Sequence, residues 1–335
     1  MLAALCMQAR NREVHLRLIA TSDIHGNYLP FDYISRQPGR GGLSRVETYV
    51  RTQRKELGRE QVVVLDNGDI LQGQPTAYYY NFIDTTSTHF CAQALNYIGY
   101  DAATIGNHDI ETGHAVYDRW VGECNFPMLG ANVVSTSTGK PYWKPYTIIE
   151  RNGIRIGVLG MITPSIPKWL PNNLWSGLRF DDLVETARRW LPEMRYKEHA
   201  DIIVGLFHSG IGNQNARGRM FENAALQVAR MVPGFDIIFC GHDHREADLR
   251  IANVRGDSVL VLNPAANGMS VAQADIHLTL KRKAIVGKRV NGRLVSVADL
   301  QPDSDFINTF APQAKAVEAF VGEKVGENET ELSTR

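Results

Sequence analysis

The chain has 335 residues, of which 44% are hydrophobic and 21% are charged. This length and composition are typical of a globular protein with one large or two ordinary domains. Its 36 basic residues balance 36 acidic residues, so the charge does not favour a nucleic-acid polymer or an anionic membrane surface as a partner. No apolar run approaches the roughly 20 residues that cross a bilayer, and we expect no transmembrane segment.

The first residues resemble part of an export signal. Residues 1–9 are largely apolar and are followed by Arg10, which is typical of the end of a secretory leader, although no basic segment precedes the apolar residues. Residues 1–15 are therefore predicted to be a leader or a disordered terminus. This pattern indicates a periplasmic or secreted location, with a cytoplasmic one as the alternative. The four cysteines show no C-x-x-C spacing and do not indicate a compartment.

Short apolar runs and amphipathic segments alternate along the chain. Strands are predicted at runs rich in β-branched and aromatic residues, namely residues 18–22, 62–65, 102–105, 128–132, 146–150, 154–161, 202–207, 235–240, 258–262 and 271–280. Helices are predicted from spacing and capping at residues 43–57, 89–98, 114–124, 181–190, 222–231 and 303–324. Three consecutive tyrosines at 78–80 predict a packed surface loop, with a pocket lining as the alternative. The alternation predicts mixed sheets with helices outside them.

Two Asn-Gly dipeptides predict tight turns between antiparallel strands. Asn152-Gly153 separates two strand-like runs, which we expect to form a hairpin. Residues 283–297 are likewise predicted to form a hairpin that turns at Asn291-Gly292.

Polar residues occur in five short blocks, each of which follows an apolar run. Because strand ends deliver side chains to loops at one edge of a sheet, the blocks would gather carboxylate, imidazole and amide groups there. In chain order they are Asp23-Ile24-His25, Gly68-Asp69, Gly106-Asn107-His108-Asp109, His208 and Gly241-His242-Asp243-His244. Two nearby histidines alone would be an ordinary structural feature, but five blocks in one order indicate a metal site.

The five blocks together resemble the ordered signature D-x-H, G-D, G-N-H-[DE], H and G-H-x-H of the calcineurin-like metallophosphoesterases. Within that superfamily the chain is most similar to the catalytic domain of the bacterial 5′-nucleotidase and 2′,3′-cyclic-nucleotide phosphodiesterase group, over roughly residues 16–280. The resemblance implies an α/β (α+β) fold, a four-layer αββα sandwich with two mixed β-sheets. It divides the chain into a catalytic domain at 16–300 and a linker helix with a tail at 301–335, leading toward a C-terminal nucleotide-binding domain that is absent from this chain.

The resemblance also implies two divalent metal ions, which could be manganese, zinc, iron or cobalt because mixed nitrogen and oxygen ligands accept all of these. Carried over block by block, Asp23, His25 and His244 would bind the first metal, whereas Asn107, His208 and His242 would bind the second. Asp69 would bridge the two. Such a pair can activate water and neutralise phosphoryl oxygens, which implies that a metal-bridged hydroxide cleaves a nucleotide phosphate.

His108 is the residue to which the resemblance assigns catalysis, through contact with the phosphate and help to the leaving group. Related nucleotidases often orient this histidine with an aspartate three residues later, but here that position is Glu111. We assign Glu111 as the orienting partner, with Asp109 as the alternative. Glu222 and Asn223 are predicted to begin a helix, with a contact to substrate as the alternative.

Several functions fit these residues. The first is a 5′-nucleotidase-like phosphoester hydrolase acting on nucleotides or other small phosphoesters. Alternatives are a 2′,3′-cyclic-nucleotide phosphodiesterase, a nucleotide-sugar hydrolase, and a metal-binding module without catalysis. His244 favours the cyclic phosphodiesterase, since some 5′-nucleotidases carry glutamine there, whereas His108 argues against the module because it is not a ligand. The sequence does not define the oligomeric state.

Overall fold

Two six-stranded sheets form the centre of the computed structural model, which describes residues 11–33 and 35–327. Its strands are β1 Arg12–Thr21, β2 Phe31–Asp32, β3 Gln37–Pro38, β4 Val62–Asp66, β5 Ala102–Thr104, β6 Met128–Leu129, β7 Val133–Ser135, β8 Tyr146–Arg151, β9 Ile154–Ile162, β10 Leu178–Phe180, β11 Ile202–His208, β12 Ile237–Cys240, β13 Glu246–Ala252, β14 Ser258–Pro264, β15 Ser270–Lys281 and β16 Ala284–Ser296.

The helices are α1 Leu43–Leu57, α2 Pro75–Tyr78, α3 Phe90–Ile98, α4 Asn107–Ile110, α5 His114–Glu123, α6 Ile166–Trp169, α7 Leu183–Pro192, α8 Ala225–Met231, α9 Ser304–Thr309 and α10 Ala311–Val321. Short 3₁₀ turns lie at Arg59–Gln61 and Asn172–Leu174, and π-helical turns at Tyr79–Ile83 and Glu193–Lys197.

Both large sheets have a parallel centre. The first has the order β16-β15-β1-β4-β5-β6, in which β1, β4, β5 and β6 are parallel and β15 and β16 are antiparallel additions. The second has the order β13-β14-β12-β11-β9-β8, in which the middle four strands are parallel. The polar blocks therefore follow the carboxyl ends of parallel strands in two different sheets.

Three apolar clusters separate four layers. One lies between the sheets and contains alternate residues of their strands, such as Leu16 and Leu18 of β1 and Leu206 of β11. A second fills the space between the first sheet and helices α1, α3, α5, α9 and α10. The third packs the second sheet against α7 and α8. Each sheet is thus covered on both faces, and the predicted four-layer αββα sandwich with two mixed sheets is confirmed.

Of the two predicted Asn-Gly turns, one is confirmed and one is wrong. Asn152-Gly153 connects β8 to β9 as expected. The second hairpin instead turns between β15 and β16, and Asn291-Gly292 lie inside the continuous strand β16. A Cβ at Gly292 would lie 2.8 Å from a methyl group of Leu260 in the facing sheet. Glycine is therefore needed here for close packing of the sheets, and no turn forms.

The first strand begins four residues before residue 16, the predicted start of the catalytic domain. Strand β1 begins at Arg12, which pairs with Leu280, because antiparallel pairing with β15 continues through residues 12–15. The part of the proposed leader at residues 1–10 lies outside the described residues.

The C-terminal segment forms two helices, so the predicted single helix over 303–324 is wrong. α9 ends at Thr309 and α10 begins at Ala311. Pro312 has no N–H to continue the helical hydrogen bonds and disfavours helical backbone in the residue before it. The two helices pack on the first sheet's helical layer, with Phe306 and Phe310 buried.

The three consecutive tyrosines are helical, contrary to the predicted loop. Tyr78 ends α2, and the next two tyrosines begin the π-helical turn that follows. Tyr80 is buried, whereas Tyr78 is 52% exposed and lines a cavity. The alternative prediction, a pocket lining, therefore holds for Tyr78.

Candidate metal centre

All seven side chains that the resemblance implies as metal ligands lie together where the two sheets meet at the ends of their parallel strands. Each follows or ends a strand because the polar block comes directly after the apolar run. Asp23 and His25 follow β1, Asp69 follows β4, Asn107 begins α4 after β5, His208 ends β11, and His242 and His244 follow β12. The first sheet therefore supplies four of them and the second sheet three.

One group consists of Asp23, His25 and His244. The Nε2 atoms of the two imidazoles are 2.9 Å apart, and that of His244 is 3.3 Å from Asp23 Oδ1. One possible ligand atom from each residue lies within 4.8 Å of the other two. Nitrogen and oxygen atoms that converge in this way could hold one divalent cation.

A second group consists of Asp69, His208 and His242, with Asn107 among them. The possible ligand atoms of the aspartate and the two histidines also lie within 4.8 Å of one another. Asn107 Oδ1 is 3.0 Å from His208 Nε2 and 2.7 Å from His242 Nδ1. The amide oxygen and the imidazole nitrogens thus point at one small volume, which has the mixed nitrogen and oxygen donors that a divalent cation needs.

Three of the four imidazoles have their outer ring nitrogen close to a protein oxygen. These contacts are His208 Nδ1 to the Asn67 carbonyl at 2.7 Å, His25 Nδ1 to the Gln72 carbonyl at 3.2 Å, and His242 Nε2 to Glu222 Oε1 at 3.0 Å. When the outer nitrogen donates its hydrogen to such an oxygen, the inner nitrogen presents its lone pair toward the group. The donor set therefore fits two metal ions.

Asp69 and His208 are tightly coupled. Asp69 Oδ2 lies 3.2 Å from His208 Nε2, and both side chains are buried. Burial alone would lower the pKa of the imidazole, but the adjacent carboxylate raises the pKa of His208 to about 10. Burial would likewise raise the pKa of Asp69, yet His208 and the other nearby imidazoles hold the pKa of this carboxylate below its usual value. Asp69 is therefore a buried, ionised carboxylate, and a metal ion would have to displace the proton that His208 Nε2 shares with it.

Backbone conformation at the site is strained. Five of the seven side chains belong to residues in the left-handed region, with φ of 53° at Asp23, 48° at His25, 56° at Asp69, 73° at His242 and 52° at His244. Non-glycine residues rarely adopt this conformation, and such strain is concentrated at functional sites. Tight packing accompanies it, since a Cβ at Gly106 would lie 2.2 Å from the Asp69 nitrogen.

His108 lies at the edge of the two groups, with a carboxylate behind it. Its Nδ1 is 2.5 Å from Glu111 Oε2, and its backbone N–H donates to Asp69 Oδ1 at 2.7 Å. Asp109, the alternative partner, is buried and accepts hydrogen bonds from the backbone N–H groups of residues 69, 70, 71 and 106. The structure therefore places Glu111, rather than Asp109, against His108.

Two further residues lie near the site, of which Glu222 was predicted to begin a helix, with a substrate contact as the alternative, and Trp169 was given no role. Glu222 contacts His242 and lies before α8, which begins at Ala225. Trp169 stacks on His242 with 5.5 Å between ring centroids and 24° between planes. Trp169 ends the short helix α6 and lies in no recognisable motif, so the sequence gave no signal for it. Both residues line a cavity of about 410 Å³ together with His108.

The sequence profile of calcineurin-like phosphoesterases matches residues 16–246, which contain all five polar blocks. The chain belongs to this family. The family uses divalent metals, and the two side-chain groups described above stand where such ions could bind.

Relatives of this calcineurin-like phosphoesterase include named nucleotide phosphoesterases. The trifunctional nucleotide phosphoesterase protein YfkN of Bacillus subtilis is 31% identical over 340 residues, covering 96% of this chain and 22% of that protein. The 2′,3′-cyclic-nucleotide 2′-phosphodiesterase/3′-nucleotidase of Yersinia enterocolitica is 34% identical over 248 residues, covering 70% of this chain and 37% of that protein. The chain thus spans well under half the length of both relatives.

The fold is also shared with a solved structure. The crystal structure of calcineurin-like phosphoesterase YfkN from Bacillus subtilis matches with a TM-score of 0.82 at 28% identity, covering 93% of this chain and 100% of that one. The resemblance inferred from the five blocks is therefore confirmed. In the described part of the chain, no helix is both long and apolar enough to cross a bilayer.

Proposed function

We propose that this chain is a dimetal phosphoester hydrolase that acts on nucleotides in the manner of a 5′-nucleotidase. The observation that carries the proposal is the pair of converging side-chain groups, with a histidine beside them that belongs to neither group. A module that only binds metal has no need of the His108–Glu111 pair, whose Nδ1–Oε2 distance is 2.5 Å. The names of the relatives support nucleotides as the substrate class.

In this proposal Asp23, His25 and His244 would hold one metal, Asn107, His208 and His242 would hold the other, and Asp69 would bridge the two. When bound, two such metals activate water and neutralise charge on the phosphoryl oxygens. The chain's own contribution is to fix the ligands, because the Asn67 and Gln72 carbonyls and the Glu222 carboxylate orient three of the imidazoles. Manganese, zinc, iron and cobalt all suit this donor set.

His108 acts on the substrate. Its Nδ1 faces Glu111, so its Nε2 is directed away from that carboxylate and can donate a hydrogen bond to a phosphoryl or leaving-group oxygen. An imidazole in this position can also pass a proton to a departing alkoxide. The backbone hydrogen bond from His108 to Asp69 fixes this residue relative to the proposed bridge.

A second candidate is a 2′,3′-cyclic-nucleotide phosphodiesterase. His244 lies 2.9 Å from His25 and completes the first group, where some 5′-nucleotidases carry glutamine. The named activity of the Yersinia enterocolitica relative also favours this candidate. A nucleotide-sugar hydrolase remains the third candidate, since the same groups serve monoesters and diesters.

A substrate panel tests the proposal. Protein reconstituted with each of the four metals would be assayed on 5′-mononucleotides, 2′,3′-cyclic nucleotides, a nucleotide sugar and an aryl phosphate, with the His108→Asn variant as the matched control. We expect 5′-mononucleotides to have the highest kcat/KM. Preference for cyclic nucleotides would favour the second candidate, and absence of all hydrolysis at two bound metals per chain would overturn the proposal.

A periplasmic or secreted location belongs to the same proposal and is supported by the leader-like residues 1–9. Cell fractionation of the native host, followed by detection of the protein, would test it.

A further inference from the structure

A cavity of about 720 Å³ lies between helices α7 and α8 and the loop that connects β11 to α8. The residues that line it are different from those that line the cavity at the metal centre. We call it the arginine cleft, because its charged lining residues are four arginines and two carboxylates, namely Arg188, Arg217, Arg219, Arg230, Asp182 and Glu185. Positive charge therefore exceeds negative charge in this cleft, although the whole chain has no net charge.

Both carboxylates of the cleft are already engaged. Asp182 caps α7 by accepting the backbone N–H of Glu185 at 3.0 Å, and its other oxygen accepts the N–H of Met220 at 2.7 Å. One oxygen of Glu185 serves two guanidinium groups, at 2.9 Å from Arg188 and 3.4 Å from Arg219. These two like charges thus share a single carboxylate oxygen.

The other two arginines of the cleft have no protein partner. Within the described part of the chain, the side chains of Arg217 and Arg230 form neither an ion pair nor a hydrogen bond. Arg230 is half-buried on α8, whereas Arg217 is exposed on the loop. A guanidinium group carries five N–H donors and is always charged. Because the donors of these two residues are not used by the protein, they are available to an anion that enters the cleft.

The loop that carries Arg217 and Arg219 is attached to both neighbouring helices. Gln227 of α8 is buried and donates from Nε2 to the Ala216 carbonyl at 2.9 Å. On the opposite side, the hydrogen bond from Met220 to the cap of α7 holds the end of the loop. A loop that is fixed in this way loses little conformational freedom when a ligand binds. The arginines therefore belong to a preorganised concave surface.

Phosphate is the anion that best matches these groups. Guanidinium groups bind a phosphate through parallel N–H···O hydrogen bonds, which a spherical anion such as chloride does not offer. The excess positive charge of the cleft also favours a group with two negative charges over one with a single charge. Small-molecule sites usually have volumes of roughly 300–1,000 Å³, so the cleft has room for an organic substituent on the phosphate.

We propose that the arginine cleft is a second phosphate-binding site, separate from the metal centre, for inorganic phosphate or the phosphate group of a small phosphomonoester. Arg217 and Arg230 supply donors that the protein leaves unused, and the bound anion relieves the repulsion between the guanidinium groups that share Glu185. The proposal does not depend on the proposed function, because none of the proposed metal ligands lines the cleft.

Hydrogen–deuterium exchange of the metal-loaded protein, measured by mass spectrometry at residues 211–224, tests the proposal. Inorganic phosphate and phenylphosphonate, a stable analogue of a phosphomonoester, would each be titrated at an ionic strength held constant with sodium chloride. Arg230→Gln removes one unpaired charge, and Glu185→Gln removes the carboxylate that competes with the anion. Arg289→Gln is the matched control, because Arg289 is exposed on β16 of the first sheet. Circular dichroism would show that each variant is folded.

We expect phosphate, but not sodium chloride alone, to slow exchange in the loop. Arg230→Gln should raise the phosphate concentration for half of this effect about tenfold, which corresponds to the loss of one charge-assisted hydrogen bond. Glu185→Gln should lower that concentration, and Arg289→Gln should leave it within twofold. A lower half-effect concentration for phenylphosphonate than for phosphate would identify a phosphomonoester as the ligand, and the reverse order would identify inorganic phosphate.

Two results would overturn the proposal. One is the absence of any phosphate-dependent change in the loop of the unmodified protein. The other is an equal half-effect concentration in Arg230→Gln and the unmodified protein, because phosphate would then act from the metal centre alone. Weaker phosphate binding by Glu185→Gln would also contradict the proposal. Since this variant is expected to bind more tightly, partial unfolding cannot produce the expected pattern.

Discussion

Asp69 combines several structural roles in one carboxylate. Its Oδ1 accepts the backbone N–H of His108, its Oδ2 faces His208, and its backbone adopts a φ of 56°. An ionised carboxylate in a buried position requires compensating positive charge. Imidazoles supply part of that charge, and the proposed metal ions would supply the rest.

Replacement of Asp69 by asparagine should abolish turnover and lower the metal content below two per chain. The neutral amide cannot offset the mutual repulsion of two cations. Metal analysis by mass spectrometry after dialysis checks this expectation, with Asp299→Asn as a control because the Asp299 side chain is 89% exposed. Two full equivalents of metal in Asp69→Asn would show that Asp69 does not bridge.

Replacement of His108 should separate catalysis from metal binding. We expect His108→Asn to keep both metals and lose roughly 10²- to 10⁴-fold in turnover, the range for a lost acid–base group. The loss should be smaller for aryl phosphates, whose leaving groups need no proton. Glu111→Gln should cause a smaller loss than His108→Asn, because Glu111 acts only through the histidine. An equal loss for alkyl and aryl esters in His108→Asn would assign this residue to phosphate positioning alone.

The sequence was informative about residues in the motif blocks and about Glu111, which lies three residues after His108, but it did not assign the contacts that come from distant segments. Asp23, His25 and His244 could be assigned because each block follows its own strand. Glu222 is 20 positions before His242 in the chain and reaches it only through the loop that follows β11. Trp169 ends the short helix α6, far from both in the chain. Contacts of this kind depend on loop conformation, which a single sequence does not specify.

A carboxylate on the buried face of helix α1 makes the stability of the fold depend on pH. Glu47 lies on that face, and one of its carboxylate oxygens has no hydrogen-bond partner among the described residues. Burial raises the pKa of Glu47 to about 7, although Arg51 and Arg54 oppose the shift. The folded protein therefore holds a proton here that the unfolded chain releases near pH 4.5. The tighter binding of this proton by the folded protein contributes to stability. That contribution is complete below pH 4.5 and is lost as the pH rises through about 7.

Glu47→Gln should accordingly become more stable relative to the unmodified protein as the pH rises from 5 to 8. The gain at pH 8 should be on the order of 2 kcal/mol, because the buried charge is removed. Urea unfolding of metal-loaded protein at several pH values measures it. Glu56→Gln, on the exposed part of the same helix, should show no comparable gain. A gain that is equal at pH 5 and pH 8 would contradict the ionisation of Glu47.

Gly106, which precedes α4, is expected to tolerate no side chain. The added Cβ of Gly106→Ala would lie 2.2 Å from both the nitrogen and Oδ1 of Asp69, so the loop that carries the proposed bridge must move. We expect weaker metal binding and a lower Tm, measured by metal titration and thermal unfolding. Gly122→Ala is the control, since nothing lies within 4 Å of its Cβ position. This change within α5 should leave Tm equal or higher.

Elements were predicted well where local pattern decides them. Helix α1 has the predicted bounds, residues 43–57, because its apolar spacing and its burial coincide. The turn predicted at Asn291-Gly292 is wrong because tertiary packing, rather than local pattern, decides this position. The glycine leaves room for Leu260 of the other sheet. Pro312 indicated a break between α9 and α10. The prediction instead followed the apolar spacing, which continues across the break and favours one helix.

On the scale of the whole molecule, α9 and α10 belong to the folded domain. Phe310 is buried and packs on Phe90 of α3 at 5.0 Å and on Phe306 at 4.7 Å. We expect Phe310→Ala to lower the free energy of unfolding by about 3–5 kcal/mol, as for other buried phenylalanines. Chemical denaturation measures the loss, and metal content should stay at two per chain if unfolding is avoided. A loss below 1 kcal/mol would indicate that these helices are dispensable for folding.

Each of the two ligand groups contains residues from both sheets, and this arrangement has a thermodynamic consequence. In the proposed assignment, no metal can be fully coordinated unless the first sheet and the second sheet are docked at the same time. Metal binding is then linked to folding. A free metal concentration about a hundred times the dissociation constant adds about 2.7 kcal/mol to the free energy of unfolding. Scarcity of divalent metal would therefore shorten the lifetime of the protein against proteolysis as well as lower its activity.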